Sequence, residues 1–590
     1  MKRTHYLFAK AILVIVVCLG LAYGHTNAVQ ADTCTWTGST SADWDTATNW
    51  DCSDGTPHVP ITTDNVVIPN TSNDPVYSET LGFDLNAIEI QAGATLTIAN
   101  TSNIRLDANI WQIDGTLWFY STDLGVEVEI NRDTPEGLVN VDSTGDVDLD
   151  IPYGLLQIYS TYNNDGMLEC RPDAQGIALM GSGVHTGEFA DLPVLQLAAV
   201  DPEAEFVFQL DSVLTLNLLN VTSGHAFIYG SYQPWGTSTR LNIDASNRTY
   251  PPSVTIESTS VTMPEYTMIY SGSTLAVRSP LSMPRLFLAG TLNNTSSIDV
   301  TGSFYWLSGG FTGDGTTTVQ ASATSTINLN STATMDAQTL TLASTTNWDG
   351  NNITLSNNSE MINNGTFNAN ATTTMAGVTG ESFVNNGSFL KKTVDTTTTM
   401  NIPFINDGTV DIVAGSLIFQ QGMDNGANAV VDLGGGTLDP GDELIIDSDD
   451  SLIGSGTLAA NLVNEGTVSP GNSAGIITVQ GDYSNLNSGL LQIELGGTTA
   501  GTEHDQLVVT GTATMNGTLT VTLLPGFLPE LGETFFIIDH TIGTLKFDTI
   551  NLPSLAGGLK LEADFSDDGV TLTVVSASTD AFIFLPMIMK

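Results

Sequence analysis

A short phrase, apolar–Asn–polar–Gly–Thr/Ser–apolar, returns along this 590-residue chain. It reads Ile362-Asn363-Asn364-Gly365-Thr366-Phe367 and then Val384-Asn385-Asn386-Gly387-Ser388-Phe389. It returns as Ile405-Asn406-Asp407-Gly408-Thr409-Val410 and as Val463-Asn464-Glu465-Gly466-Thr467-Val468. The first three copies lie 22 and 21 residues apart. A period near 20 is one coil of a parallel β-helix, three short strands joined by three turns. Asn and Gly accept left-handed backbone, so the phrase predicts such corners around Gly365, Gly387, Gly408 and Gly466. Stacked coils would also place Asn363, Asn385, Asn406 and Asn464 in columns, where their amides can hydrogen-bond as a ladder. The fold expected is all-β: a right-handed parallel β-helix, or solenoid, with an N-terminal cap and a β-rich C-terminal closing domain.

Composition narrows the partners. The chain has 15 basic and 64 acidic residues, a net charge of −49. Removing residues 1–31 takes away Lys2, Arg3 and Lys10 and no acid, so the remainder stands at −52. Nucleic acid and anionic membrane surfaces should repel such a chain. Charged residues are only 13% of the total, and Gly reaches 57, which suits many short strands and polar turns rather than a disordered polyanion.

Met1–Ala31 reads as a secretory signal: a basic start, the apolar run Ala11–Leu21, and small residues at Val29-Gln30-Ala31. The run is too short for a membrane anchor, and no transmembrane span is expected in the mature chain. Cys18 would leave with the signal, while Cys34, Cys52 and Cys170 remain, and export permits a disulfide.

Residues 32–84 form a Trp-rich opening: Trp36-Thr37-Gly38, Trp44, Asn49-Trp50, then Pro60, Asp64 and Val66-Val67-Ile68. This resembles the N-terminal module of exported bacterial β-helix proteins, many of which carry cysteines where Cys34 and Cys52 stand. The resemblance implies export, a cap whose indoles plug the open first coil, and a Cys34–Cys52 disulfide with Cys170 left unpaired. Such a bridge stabilises by roughly 3 kcal/mol.

Coils should run from 85 to 430. Ala94-Thr95-Leu96-Thr97-Ile98 alternates strictly, so one face points inward. Residues 130–285 carry several prolines and read either as coils with longer loops or as an inserted β-domain. Residues 431–575 hold the helix end and a C-terminal β domain. There, Ser469-Pro470-Gly471 and Asp505-Gln506-Leu507-Val508-Val509 resemble the closing region of autotransporter passengers. No membrane-barrel domain follows in the 55 residues after Phe535, so self-translocation is not implied. Residues 576–590 are an apolar tail, read as a sorting or attachment signal rather than an edge strand.

Candidate chemistry is sparse. Gly471-Asn472-Ser473-Ala474-Gly475 matches a nucleophile elbow, and Asp505 and His540 follow in hydrolase order. That elbow needs a helix after the serine, whereas Ile476-Ile477-Thr478-Val479 is β-branched, so Ser473 reads as a corner residue. No catalytic residue is assigned. Asp146, Asp148 and Asp150 share one strand face, and Asp447, Asp449 and Asp450 form an acidic turn. Both read as solvated faces, with oxygens offered to Ca²⁺ as the alternative, and no other cofactor is indicated. His58, His185, His225, His504 and His540 are isolated in sequence, without zinc-ligand spacing. Tyr305-Trp306 and Tyr232-Gln233-Pro234-Trp235 read as core or loop anchors, with sugar stacking as the alternative.

The function expected is a non-enzymatic structural or adhesive protein, secreted or on the bacterial cell surface, with glycans or neighbouring surface proteins as partners. The alternative is a secreted polysaccharide lyase or glycosidase on the same scaffold, which a carboxylate cluster beside an arginine would favour. About 20 coils at about 4.8 Å each would make a rod near 100 Å.

Overall fold

A computed structural model describes residues 31–201, 203–245, 251–377, 380–472 and 474–577. The signal-like segment, Ser473 and the apolar tail from 578 onward lie outside the described residues. The chain divides into two compact units, Met1–Gln175 and Gly176–Lys590. Each is a parallel β-solenoid. Among the described residues helix is confined to one 3-10 turn, Ala47–Asn49.

Alternation makes the strands. In Thr95–Ala99 the leucine and isoleucine turn inward and the threonines outward. Parallel pairing then sets each inward residue against its equivalent one coil on. In the first unit Ile88 pairs with Trp111 and Ile90 with Ile113. In the second, Asn363 pairs with Asn385, which in turn pairs with Asn406. The core is therefore a set of like-on-like columns. Phe367 stacks on Phe389 at 5.4 Å and Phe383 on Phe404 at 5.3 Å between ring centroids. These spacings follow the distance between neighbouring strands, and each buried ring contributes about 1.5–3 kcal/mol.

The phrase glycines work differently from the sequence expectation. Gly365, Gly387, Gly408 and Gly466 do not have positive φ. What they lack is room. A Cβ on Gly387 would lie 2.1 Å from the Gly365 carbonyl oxygen, and one on Gly408 would lie 2.1 Å from that of Gly387. At Gly365 and Gly466 the obstructing carbonyls belong to Ser344 and Asp447, at 2.3 and 2.1 Å. Each corner sits so close to the previous coil that only a hydrogen fits.

In the cap, Thr33–Trp36 pairs antiparallel with Trp50–Cys52 and parallel with Asn65–Ile68. Cys34 and Cys52 face each other in that register and form a disulfide. Trp36, Trp44 and Trp50 are buried, with edge-to-face contacts at 4.9 and 4.7 Å. Buried Asn49 accepts from the Thr40 and Ser41 N–H groups and donates to Ser41 Oγ and the Asp43 carbonyl, which folds the intervening loop around it.

The proline-rich stretch consists of coils with longer connections. In the first unit Leu155–Ile158 pairs in parallel with Glu127–Ile130. In the second, Glu188–Ala198 pairs with Val213–Ser223, and Leu281–Leu288 with Ser297–Trp306. Pro284 lies at a register shift, where the missing N–H costs no ladder bond. An inserted β-domain is not present among the described residues. The parallel ladder ends on a hairpin, Leu559–Ser566 with Gly569–Ser576, whose second strand runs antiparallel to Thr534–Leu545. Reversing the direction ends coil stacking at that edge.

Candidate functional site

The Asn phrase builds a polar spine inside the second unit. Asn363 donates to Asn385 Oδ1 at 2.7 Å, Asn385 to Asn406 at 2.8 Å, and Asn406 to Asn425 at 3.1 Å. A second spine joins Asn464 to Asn485 at 2.7 Å. The remaining amide protons reach backbone carbonyls, Ser388 from Asn363 and Thr409 from Asn385, each at 3.0 Å. Asn425 and Asn485 were missed because Asp424 and Ser484 precede them in phrases that lack the full pattern. Along Asn363, Asn385 and Asn406 the spine satisfies its buried amides from within the fold, while the Asn464 side-chain oxygen at the head of the second spine accepts no bond among the described residues.

The outer faces carry ladders too, Asn386 to Asn364 at 2.8 Å and the hydroxyl of Thr324 to that of Ser303 at 3.0 Å, whereas Asn368, which donates to Asn347 at 3.0 Å, is buried. In the first unit Asn86 donates to Asn65 at 2.7 Å and Asn163 to Asn140 at 2.9 Å.

One outer face of the first unit concentrates chemistry. Asp146, Asp148 and Asp150 lie along one strand, half-buried rather than solvated. Parallel register sets Trp118 and Tyr120 beside Asp148 and Asp150 on one side, and Glu169 beside Asp148 on the other. Arg171 bonds Asp150 at 2.9 Å and Asp173 at 2.8 Å. Burial, then the Glu169 charge, pushes Asp146 and Asp148 up to about 6. Neighbouring strands stand about 4.8 Å apart, so Asp148 and Glu169 are carboxylates on adjacent strands of one face. Sequence analysis found only the Asp run. Asp146 pairs with a residue 30 positions earlier and one 21 later, so the regular period could not bring Trp118, Glu169 and Arg171 together.

Of the hydrolase-like set, the two described members, Asp505 and His540, are not hydrogen-bonded to each other. Asp505 is buried, and its two oxygens accept from the Gly475 N–H at 2.9 Å and the Glu494 N–H at 2.8 Å. Burial pushes its carboxyl up to about 6 against those bonds. The ring nitrogens of His540 have no hydrogen-bond partner among the described residues. Asp505 therefore pins two strand ends instead of orienting a histidine. At the other acidic turn, Asp450 is buried and accepts from the Ala429 N–H at 2.9 Å, so it is a turn lock rather than a solvated carboxylate.

His58 is not isolated in space. Its Nε2 lies 3.2 Å from Asp64 Oδ2 and its Nδ1 2.9 Å from the Thr56 carbonyl. Asp32, His58 and Asp64 bring ligand-type atoms within 4.8 Å of one another, a gathering invisible in their spacing. Cys34 and Cys52 lie beside His58, but their sulfurs are bonded to each other. Cys170 is unpaired and buried, and burial pushes its thiol up to about 12.

The aromatic candidates split. Trp306 is buried and donates to the Ser308 carbonyl at 3.1 Å, whereas Tyr305 points outward. Tyr232 is buried and Trp235 half-exposed.

Residues 35–165 match a family described as a domain of unknown function, DUF8693. The match takes in the Trp-rich cap and the coils that carry Trp118, Tyr120 and the Asp146–Asp150 strand. No curated protein matches the chain.

Proposed function

We propose that this chain is an exported, non-enzymatic solenoid of the bacterial cell surface, with a structural or adhesive role. One observation carries the reading: outward amides and hydroxyls stand in register from coil to coil, as in Asn364–Asn386 and Ser303–Thr324. A repeating array of neutral donors and acceptors suits many weak hydrogen bonds to sugars or to a neighbouring solenoid. The secretion-type start and the likeness of residues 32–84 to exported β-helix modules support the location. The test is a glycan array with the purified protein, run beside a reducing-sugar assay on the same glycans. Retention without turnover is expected. Turnover at ordinary enzyme rates, about 1–1000 per second, overturns the non-enzymatic role.

The raised carboxyls of Asp148 and its neighbours favour a second reading, a polysaccharide-active enzyme. Asp148 would serve as general acid, Glu169 as nucleophile or base, and Trp118 as a stacking surface. Abolition of any measured turnover by D148N and E169Q separately would support it. Turnover that survives both substitutions would remove the site.

A further inference from the structure

The second unit carries an outer-face patch unlike the polar ladders around it. Along one column Met268, Phe287 and Tyr305 follow in register, with the Phe287 and Tyr305 rings stacked at 4.8 Å and 11° between planes. One corner on, Tyr270, Ala289 and Leu307 succeed each other. The small Ala289 between two large side chains leaves an open notch of about 170 Å³, walled also by Met268 and Phe287. On the opposite flank are cations. The Arg285 guanidinium carbon lies 4.6 Å from the Tyr266 ring centroid and that of Arg240 5.6 Å. Arg285 also bonds the Tyr266 hydroxyl and pairs with Glu265 at 3.1 Å. Arg240 is exposed and has no ion pair among the described residues.

Two features select the occupant. The notch is the size of a single sugar ring, and its walls offer apolar and aromatic surface of the kind that receives the C–H face of a pyranose. The arginines are two of only eight in a chain with 64 acids, so this flank is among the few places that attract an anion. Alternate residues on a strand lie about 7 Å apart, so the notch and the arginines are separated by more than one sugar. We propose that this face binds an acidic oligosaccharide of at least two pyranose units, laid along the strands. One ring sits in the notch over Ala289, and a neighbour's carboxylate or sulfate meets Arg240 and Arg285. The proposal rests on the adhesive reading and gives that reading a ligand class.

The test is titration of the purified protein with oligogalacturonides, sulfated disaccharide repeats and neutral β-glucan oligosaccharides. Ala289→Leu fills the notch, and Arg240→Gln with Arg285→Gln removes the cations. All three side chains lie on the outer face, and thermal melts check that each variant folds. At least tenfold weaker binding of acidic oligosaccharides is expected from either change, with binding also falling as salt rises. Neutral oligosaccharides bound as tightly as acidic ones, or acidic binding that neither variant alters, overturns the site. Adhesion to glycan surfaces that A289L leaves intact keeps the adhesive reading and removes this site. Absence of any glycan retention removes both.

Discussion

The side-chain amide of Asn363 donates to the side-chain carbonyl of Asn385 at 2.7 Å, and Asn385 repeats the bond to Asn406 at 2.8 Å. Each asparagine thus completes the one before it. All three are buried, so every amide depends on its neighbours rather than on water.

Asn385→Ala should therefore cost more than its own bonds. It strands the Asn363 donor and the Asn406 acceptor region together, at about 1–3 kcal/mol for each buried group left unpaired. Chemical denaturation of the variant should show this loss. A stability within about 0.5 kcal/mol of the parent would show that the spine contributes nothing.

Gly387→Ala separates a steric requirement from a conformational one. Its Cβ would meet the Gly365 carbonyl at 2.1 Å, so the coils must part, at about 1–3 kcal/mol. Gly526 has φ +90 and nothing within 4 Å of its missing Cβ. Asn tolerates left-handed backbone, so Gly526→Asn should be mild and Gly387→Asn severe. Equal melting temperatures for the two Asn variants would contradict the close-approach account.

Lys391 is a buried cation that bonds the Ala369 carbonyl and the Thr396 hydroxyl, with no carboxylate partner among the described residues. Burial lowers its amine from 10.5 to about 8. The unfolded chain then binds more protons between about pH 8 and 10.5, so the stability that this group influences rises across that window and is flat below it. The rise is on the order of 3 kcal/mol. Lys391→Met should stabilise the protein at pH 7 and remove that rise, as read from denaturation at pH 7, 9 and 10.5.

His58 works with the opposite sign. Both ring nitrogens face acceptors, the Thr56 carbonyl and the Asp64 carboxylate, with Asp54 further off at 3.9 Å. The Thr56 carbonyl bond and then the Asp64 bond and charge raise its pKa above 6.5. Its contribution is full below about pH 6.5 and is lost as pH rises through the folded-state value. Hydrogen exchange in the cap should slow at pH 5.5 relative to pH 8 after correction for intrinsic rates. His58→Gln should abolish that difference, and a variant that keeps it would assign the effect elsewhere.

The sequence by itself determined the repeat, the inward alternation and the asparagine positions. These follow from side-chain direction along a strand and from a constant coil length, both of which are local. Asn363, Asn385 and Asn406 align because 22 and 21 residues are each one turn of this chain. Lateral neighbours were decided only by the tertiary structure. Coil length varies, and one longer connection slides every later residue to a new partner. That slide sets Asp148 between Trp118 and Glu169, 30 residues after one and 21 before the other. It also separates Tyr305, outward in its column, from Trp306, inward beside it, because strand phase and not residue type decides which aromatic meets solvent. The glycine corners make the same point from the backbone: composition called for Gly, but the carbonyl of the preceding coil, and not the residue's own φ, is what excludes any other side chain.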